Sequence, residues 1–177
     1  MSQTIKLLKE ALKDIAGDTT GYKIYCDMDG VLTDFDKQFK DITGIPANEF
    51  EKTHSQTEFW GEVEKGGLEY WTKMEWMPGG KQLWNFIKNY DVEILSAPSK
   101  SKLSIIGKKQ WVSENLSPKP KLNLVRAKEK QKFANSHAIL IDDRPQNLEQ
   151  WKAAGGIAIK CVNGEVSSVI DKLKKYV

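Results

Sequence analysis

The chain has 177 residues, 40% of them hydrophobic and 29% charged, which suits one soluble globular domain with a full core and a small insert. Its formal net charge of +3 comes almost entirely from lysine, arginine occurring only at Arg126 and Arg144. That balance argues against nucleic-acid binding by electrostatics alone, and no apolar stretch approaches the ~18 residues of a membrane span. Cys26 and Cys161 lie in apolar, strand-like runs and read as buried free thiols, not as a disulfide framework or a zinc site. The N-terminus carries no secretory apolar region, so a cytoplasmic location is expected.

Taken in chain order, residues 3–16 place Ile5, Leu8, Leu12 and Ile15 at helical spacing, and Gly17 is a plausible stop. An apolar run follows, with a strand expected over Lys23–Cys26, and it ends in Asp27-Met28-Asp29-Gly30-Val31-Leu32-Thr33-Asp34. Residues two apart on a strand point the same way, so Asp27 and Asp29 start out aimed into one volume. Two carboxylates repel by roughly 4 kcal/mol at ~4 Å in an effective dielectric of ~20. A hard divalent ion such as Mg2+ relieves that repulsion and keeps positions open for phosphate.

The interval 35–77 breaks the strand rhythm. It holds Pro46, the pair Gly66-Gly67 and a dense aromatic set, and reads as a small, mainly helical insertion over the active site. Beyond it, strands are expected at Val92–Leu95, Leu122–Val125, Ala138–Ile141 and Ile157–Lys160. Helices are expected near 79–89, 102–115, 128–135, 145–153 and 165–175. Alternation of this kind predicts an α/β, Rossmann-like parallel sheet with helices on both faces. The domain plan is a core of 1–34 and 78–177, with residues 1–17 as an amphipathic N-terminal helix, and a cap insertion at 35–77.

Ligands of such sheets bind beyond the carboxyl ends of the strands. There the sequence delivers Asp27 and Asp29, then Ser96, then Arg126-Ala127-Lys128-Glu129-Lys130, and finally Asp142-Asp143-Arg144-Pro145. Carboxylates hold a metal; a hydroxyl, a lysine and helix N-termini suit phosphate. No Gly-x-Gly-x-x-Gly, Walker-type loop or Gly-x-Ser-x-Gly elbow occurs, so dinucleotide-binding, kinase and serine-hydrolase readings lack support.

At these residues the chain resembles the haloacid-dehalogenase-like hydrolases. Asp-Met-Asp-Gly-Val-Leu-Thr-Asp at 27–34 is similar to their first motif in its phosphotransferase form, Ser96 to the second, Lys128 or a neighbour to the third, and Asp142-Asp143 to the fourth. Within that superfamily it looks most like the 5'(3')-deoxyribonucleotidases, through Asp27–Phe35, Tyr70-Trp71 to Met77-Pro78-Gly79, Leu95-Ser96-Ala97-Pro98, Lys109-Gln110-Trp111-Val112 and Leu140–Pro145.

The resemblance implies an Mg2+-dependent phosphomonoesterase with Asp27 as nucleophile, forming an aspartyl-phosphate, and Asp29 as acid and base. Asp27, Asp29 (through its carbonyl), Asp142 and Asp143 would form the metal site, with Asp143 favoured over Asp142 as the direct ligand. Ser96 and a lysine would bind the phosphoryl group. Lys128 is the first choice, with Lys130 and Lys132 as alternatives, and Lys100 is a further phosphate candidate. One or two of Phe39, Phe59, Trp60 and Trp71 are expected to contact substrate, although a small insertion also needs aromatics for its own core. The expected partner is a small phosphate monoester, foremost a deoxyribonucleoside monophosphate, with no membrane or nucleic-acid partner; a homodimer is compatible with the resemblance. The competing readings are a phosphatase for a sugar phosphate or a nucleic-acid 3'-phosphate end, and a non-catalytic phosphate-binding protein.

Overall fold

Period-two alternation along five apolar runs decides which side of a sheet each residue joins. The computed structural model describes residues 21–177, and the helix expected over 3–16 lies outside them. The strands are β1 (Lys23–Cys26), β2 (Val92–Ser96), β3 (Lys121–Leu124), β4 (Ala138–Asp142) and β5 (Ile157–Lys160), all parallel in the order β3-β2-β1-β4-β5. Ile24, Cys26, Ile94, Ile139, Ile141 and Ile159 fill one face. Tyr25, Leu95, Ala138 and Leu140 fill the other. With both faces covered, the strands read as near-continuous apolar runs, as parallel strands do.

The insertion between β1 and β2 begins with four short helices: α1 (Phe35–Thr43), α2 (Ala47–Thr53), α3 (Gln56–Lys65) and α4 (Gly67–Thr72). Asp34 caps α1, its Oδ1 accepting the Lys37 N–H at 2.9 Å. Ser55 and Glu58 form a reciprocal capping box on α3. The two chain crossings into the insertion are tied together: Asp34 N–H donates to the Glu75 carbonyl at 2.9 Å, and Met77 N–H to the Leu32 carbonyl at 2.8 Å.

The remaining helices are α5 (Gly80–Ile87), α6 (Lys102–Asn115), α7 (Pro145–Ala153) and α8 (Val166–Leu173). Leu83, Trp111, Val112, Val169 and Leu173 from α5, α6 and α8 join the first face; Leu148 and Trp151 from α7 join the second. Among the described residues no helix is long and apolar enough to cross a membrane.

One element differs in kind from the expectation. The helix expected over 128–135 is a 3-10 helix at Ala127–Phe133. With three residues per turn, positions three apart eclipse, so Ala127, Lys130 and Phe133 line up on one side. Phe133 anchors that side against Tyr25, ring centroids 5.5 Å apart. Lys130 is thereby turned inward and Lys128 outward.

Candidate active site

The sheet order reverses between β1 and β4, which opens a crevice at their carboxyl ends. Register pairs Cys26 with Ile141, so Asp27 and Asp142 leave the sheet side by side. Asp27 Oδ1 accepts the Met28 N–H at 2.7 Å, and its Oδ2 lies 2.7 Å from Lys130 Nζ. Lys130 donates equally to Asp142 Oδ2, at 2.7 Å. Asp142 Oδ1 accepts from the Arg144 N–H at 2.9 Å and from Asn147 Nδ2 at 3.0 Å. Both oxygens of Asp142 are therefore engaged by the protein.

Asp143 is placed differently. Its Oδ1 is buried without a hydrogen-bond partner, and one oxygen each of Asp27, Asp142 and Asp143 lie within 4.8 Å of one another. Gly30, at φ 77°, is what lets the loop close here: a Cβ at that position would come within 2.5 Å of Asp143 Oδ2. Lys130 pairs with Asp27 and Asp142, and Asp143 stands outside that ion pair. An all-oxygen donor set with an orphaned buried oxygen fits a small hard cation such as Mg2+. Of the three, Asp143 has the oxygen left without a protein partner, and Asp27 beside it faces the cleft.

Charge is tuned accordingly. Burial would raise the Asp27 carboxyl, but Lys130, Lys108 and the Met28 N–H outweigh it and hold it below the usual carboxylate range. Burial, then the charges of Asp27 and Asp142, push Asp143 up to about 7. Burial works against the Lys130 ammonium, yet Asp27 and Asp142 keep it above the ordinary lysine value.

Asp29 has its own cation. Its Oδ2 accepts from Lys108 Nζ at 2.6 Å, and its Oδ1 from Thr33 Oγ1 at 3.0 Å. Lys108 is fully buried, donates also to Ser96 Oγ at 3.3 Å, and lies 5.3 Å from the centre of the Trp71 ring. The sequence reading missed it, because the face it shares with Ser104, Gly107, Trp111 and Val112 is buried in the fold but carries no clear apolar stripe in the sequence.

The expectation for Lys128 is corrected by the 3-10 geometry. Lys128 is exposed, Lys132 pairs outward with Glu129 at 3.0 Å, and Lys130 alone of the three enters the carboxylate cluster. Lys100 is also exposed and lines a neighbouring groove with Trp60 and Glu64, not the cleft that holds Asp27. His54 stacks on Phe50 and His137 packs at a tilt against Tyr22, both outside the site.

The cleft above Asp27 has a volume of ≈ 400 Å³. Its core side includes Ser96, Lys130, Arg126 and Arg144; its insertion side includes Phe35, Phe59, Trp60 and Trp71. Phe39 does not reach it, which corrects that expectation: it is fully buried and stacks on Phe59 at 4.4 Å, serving the insertion's own core. Phe35 takes a place on the cleft that the reading had not assigned.

The family profile described as 5' nucleotidase, deoxy (pyrimidine), cytosolic type C protein matches residues 22–168, most of the chain. The chain belongs to this family. It is a hydrolase of the nucleotidase type, on the haloacid-dehalogenase-like fold. Comparison with curated protein sequences finds no match. Among solved structures, the chain is similar to a haloacid dehalogenase-like family hydrolase from Xanthomonas campestris (12% identity, 91% of this chain and 94% of that one, TM-score 0.60). It is also similar to a hydrolase from Streptococcus pneumoniae TIGR4 (14% identity, 87% and 99%, TM-score 0.55). At such identities the likeness is one of fold.

Proposed function

We propose that this nucleotidase-family hydrolase cleaves deoxyribonucleoside monophosphates to nucleoside and phosphate through an aspartyl-phosphate on Asp27, with Mg2+ as cofactor and in a cytoplasmic setting. The observation that carries the reading is Asp27 itself: a buried carboxylate, held ionised by Lys130 at 2.7 Å, at the floor of an aromatic-walled cleft. In this reading residues 35–77 are the cap that closes over the core formed by 1–34 and 78–177. Two buried free thiols, Cys26 and Cys161, accord with a reducing compartment.

Asp27 attacks phosphorus, and the bond to the leaving nucleoside oxygen breaks as Asp29 gives that oxygen its proton. Water then attacks the phosphoryl group, Asp29 takes the water's proton, and the Asp27–phosphorus bond breaks to release phosphate. Lys108 and Thr33 fix the Asp29 carboxyl between them. Lys130, in place of Lys128, and Ser96 face the oxygens of the transferring group, where a positioned cation and donor count most. Asp143 and Asp27 would hold Mg2+, which would supply charge stabilisation to the phosphoryl oxygens.

The test is phosphate release from deoxyribo- and ribonucleoside monophosphates, a sugar phosphate and a 3'-phosphorylated oligonucleotide, each with and without Mg2+ and with Asp27→Asn as control. Mg2+-dependent turnover of the deoxynucleotides, absent in the variant, is the expected result. Turnover confined to the sugar phosphate or the oligonucleotide end would keep the chemistry and discard the substrate. Silence throughout would favour a non-catalytic phosphate binder.

A further inference from the structure

On its core side the cleft opens into a second depression of ≈ 300 Å³, which shares Arg126, Ala127 and Asn147 with the cleft that contains Asp27. The rest of its lining is Lys128, Gln146 and Gln150, so no carboxylate faces it. Glu129, the acid of the adjoining 3-10 turn, is shared between Arg126 at 3.2 Å and Lys132 at 3.0 Å. Lys128 has no acid within ion-pair distance among the described residues. The winding that turns Lys130 inward therefore leaves Lys128 as an unpaired cation at the edge of the cleft. The Asn147 amide is committed to Asp142. The Gln146 and Gln150 amides can donate, and the two cations can only donate. The insertion side has the opposite sign, for Asp36 and Glu51 line the cleft there. A second anionic group beside the reacting phosphate is thus repelled on the insertion side and attracted on this one.

We infer that this groove is a second phosphate-binding site, apart from the one that holds the reacting group, with Lys128 and Arg126 as its cations and Gln146 and Gln150 as its neutral donors. Charge-assisted hydrogen bonds to phosphate oxygens are the strong ones, and the planar guanidinium suits them in particular. Phosphate can arrive from two sources. A nucleoside 3',5'-bisphosphate carries it on the substrate, one phosphate in the cleft and the other in the groove; inorganic phosphate brings it alone. The inference rests on the nucleotidase reading above, which places the reacting phosphate in the cleft that the groove adjoins.

The experiment compares kcat/KM for a deoxynucleoside 5'-monophosphate and the corresponding 3',5'-bisphosphate in the parent protein, in Lys128→Met and in Gln146→Glu. Both positions are exposed, and a carboxylate in the first turn of α7 suits the helix dipole, so both variants are expected to fold, with unchanged circular dichroism as the check. The parent is expected to favour the bisphosphate by roughly tenfold or more through KM, the scale of one hydrogen bond to a charged group. Each variant is expected to lose most of that ratio while its monophosphate value stays within about twofold of the parent. A second arm titrates inorganic phosphate against monophosphate turnover. Inhibition that lowers kcat and that Lys128→Met relieves, without preference for the bisphosphate, would assign the groove to free phosphate. Equal use of the two nucleotides with phosphate inhibition confined to KM overturns the inference, as do variants that keep a bisphosphate preference intact. Either result leaves the nucleotidase reading standing. A parent that hydrolyses neither nucleotide removes both.

Discussion

The two walls of the cleft are built on opposite plans. On the core wall nearly every polar atom has an assigned partner: Lys130 bridges Asp27 and Asp142, Asn147 closes Asp142, and Lys108 joins Asp29 to Ser96. Sheet register sets Asp27 beside Asp142, and the helices that follow the strands bring Lys130, Asn147 and Lys108 to these acids and their neighbours. The insertion wall is held by aromatic packing, Phe35 touching Phe59, Trp60, Tyr70 and Trp71, and its polar residues sit at the surface. A preorganised wall can stabilise a transition state, whereas an aromatic wall reads the shape of what enters. Substitutions on the first should therefore act on turnover and stability, and substitutions on the second on substrate binding.

The sharpest way to break this division is Asp27→Asn. Loss of the proposed nucleophile is expected to lower kcat by at least ~10³-fold, measured as phosphate release under saturating substrate; near-normal turnover would dismiss Asp27. Next comes Lys130→Met. It strands two buried carboxylates, a situation that costs about 3–5 kcal/mol of stability, and it removes a transition-state cation worth roughly 10²–10³ in kcat. Lys128→Met, two residues away and exposed, is expected to change kcat by less than about twofold, since surface positions away from partners matter little. Denaturant unfolding and turnover of the pair decide whether the 3-10 turn has selected the right lysine.

That turn also marks the limit of what the sequence discloses. The sheet was legible because each apolar run stops at a polar residue, and the acids Asp27, Asp29, Asp142 and Asp143 stand at those stops. An α-helix over 128–135 gives no reason to prefer Lys130, because inward rotation follows only from the tighter 3-10 winding anchored by Phe133 on Tyr25. Lys108 was hidden for another reason: its partner Asp29 is 79 residues away, and its neighbour Lys109 is the same residue type. Phe39 misled because composition cannot distinguish an aromatic that packs on other aromatics from one that meets a ligand. Local chemistry is written in the sequence, but long-range pairing is not.

Asp143→Asn sharpens the core side further. An acid whose pKa rises from 3.8 unfolded to about 7 folded holds its proton more tightly in the native state. Stability of the metal-free protein is therefore lost as pH climbs from about 4 to 7, with the full penalty above 7. Without Mg2+, Asp143→Asn should match the parent near pH 4 and exceed it at pH 8 by on the order of 2–4 kcal/mol. Adding Mg2+ should stabilise the parent at pH 8 and progressively less below pH 7, where a proton competes for the same oxygen; the variant should gain little. Thermal unfolding at these pH values, with and without Mg2+, reads all of it. A variant less stable than the parent at pH 8 without metal would mean that Asp143 is not a strained, waiting ligand.

On the other wall, Trp60→Ala tests whether the insertion acts on binding alone. Trp60 is half-buried and lines both the cleft and the adjoining groove of ≈ 670 Å³. A base stacked on an aromatic ring gains about 1–3 kcal/mol, so KM for the nucleotide should rise roughly 5- to 150-fold. Trp60 touches none of the charged groups around Asp27, so kcat should stay within about threefold of the parent, the mark of uniform binding. A fall in kcat as large as the rise in KM would show that the ring helps to position the reacting phosphate, and the division between the walls would fail at that residue.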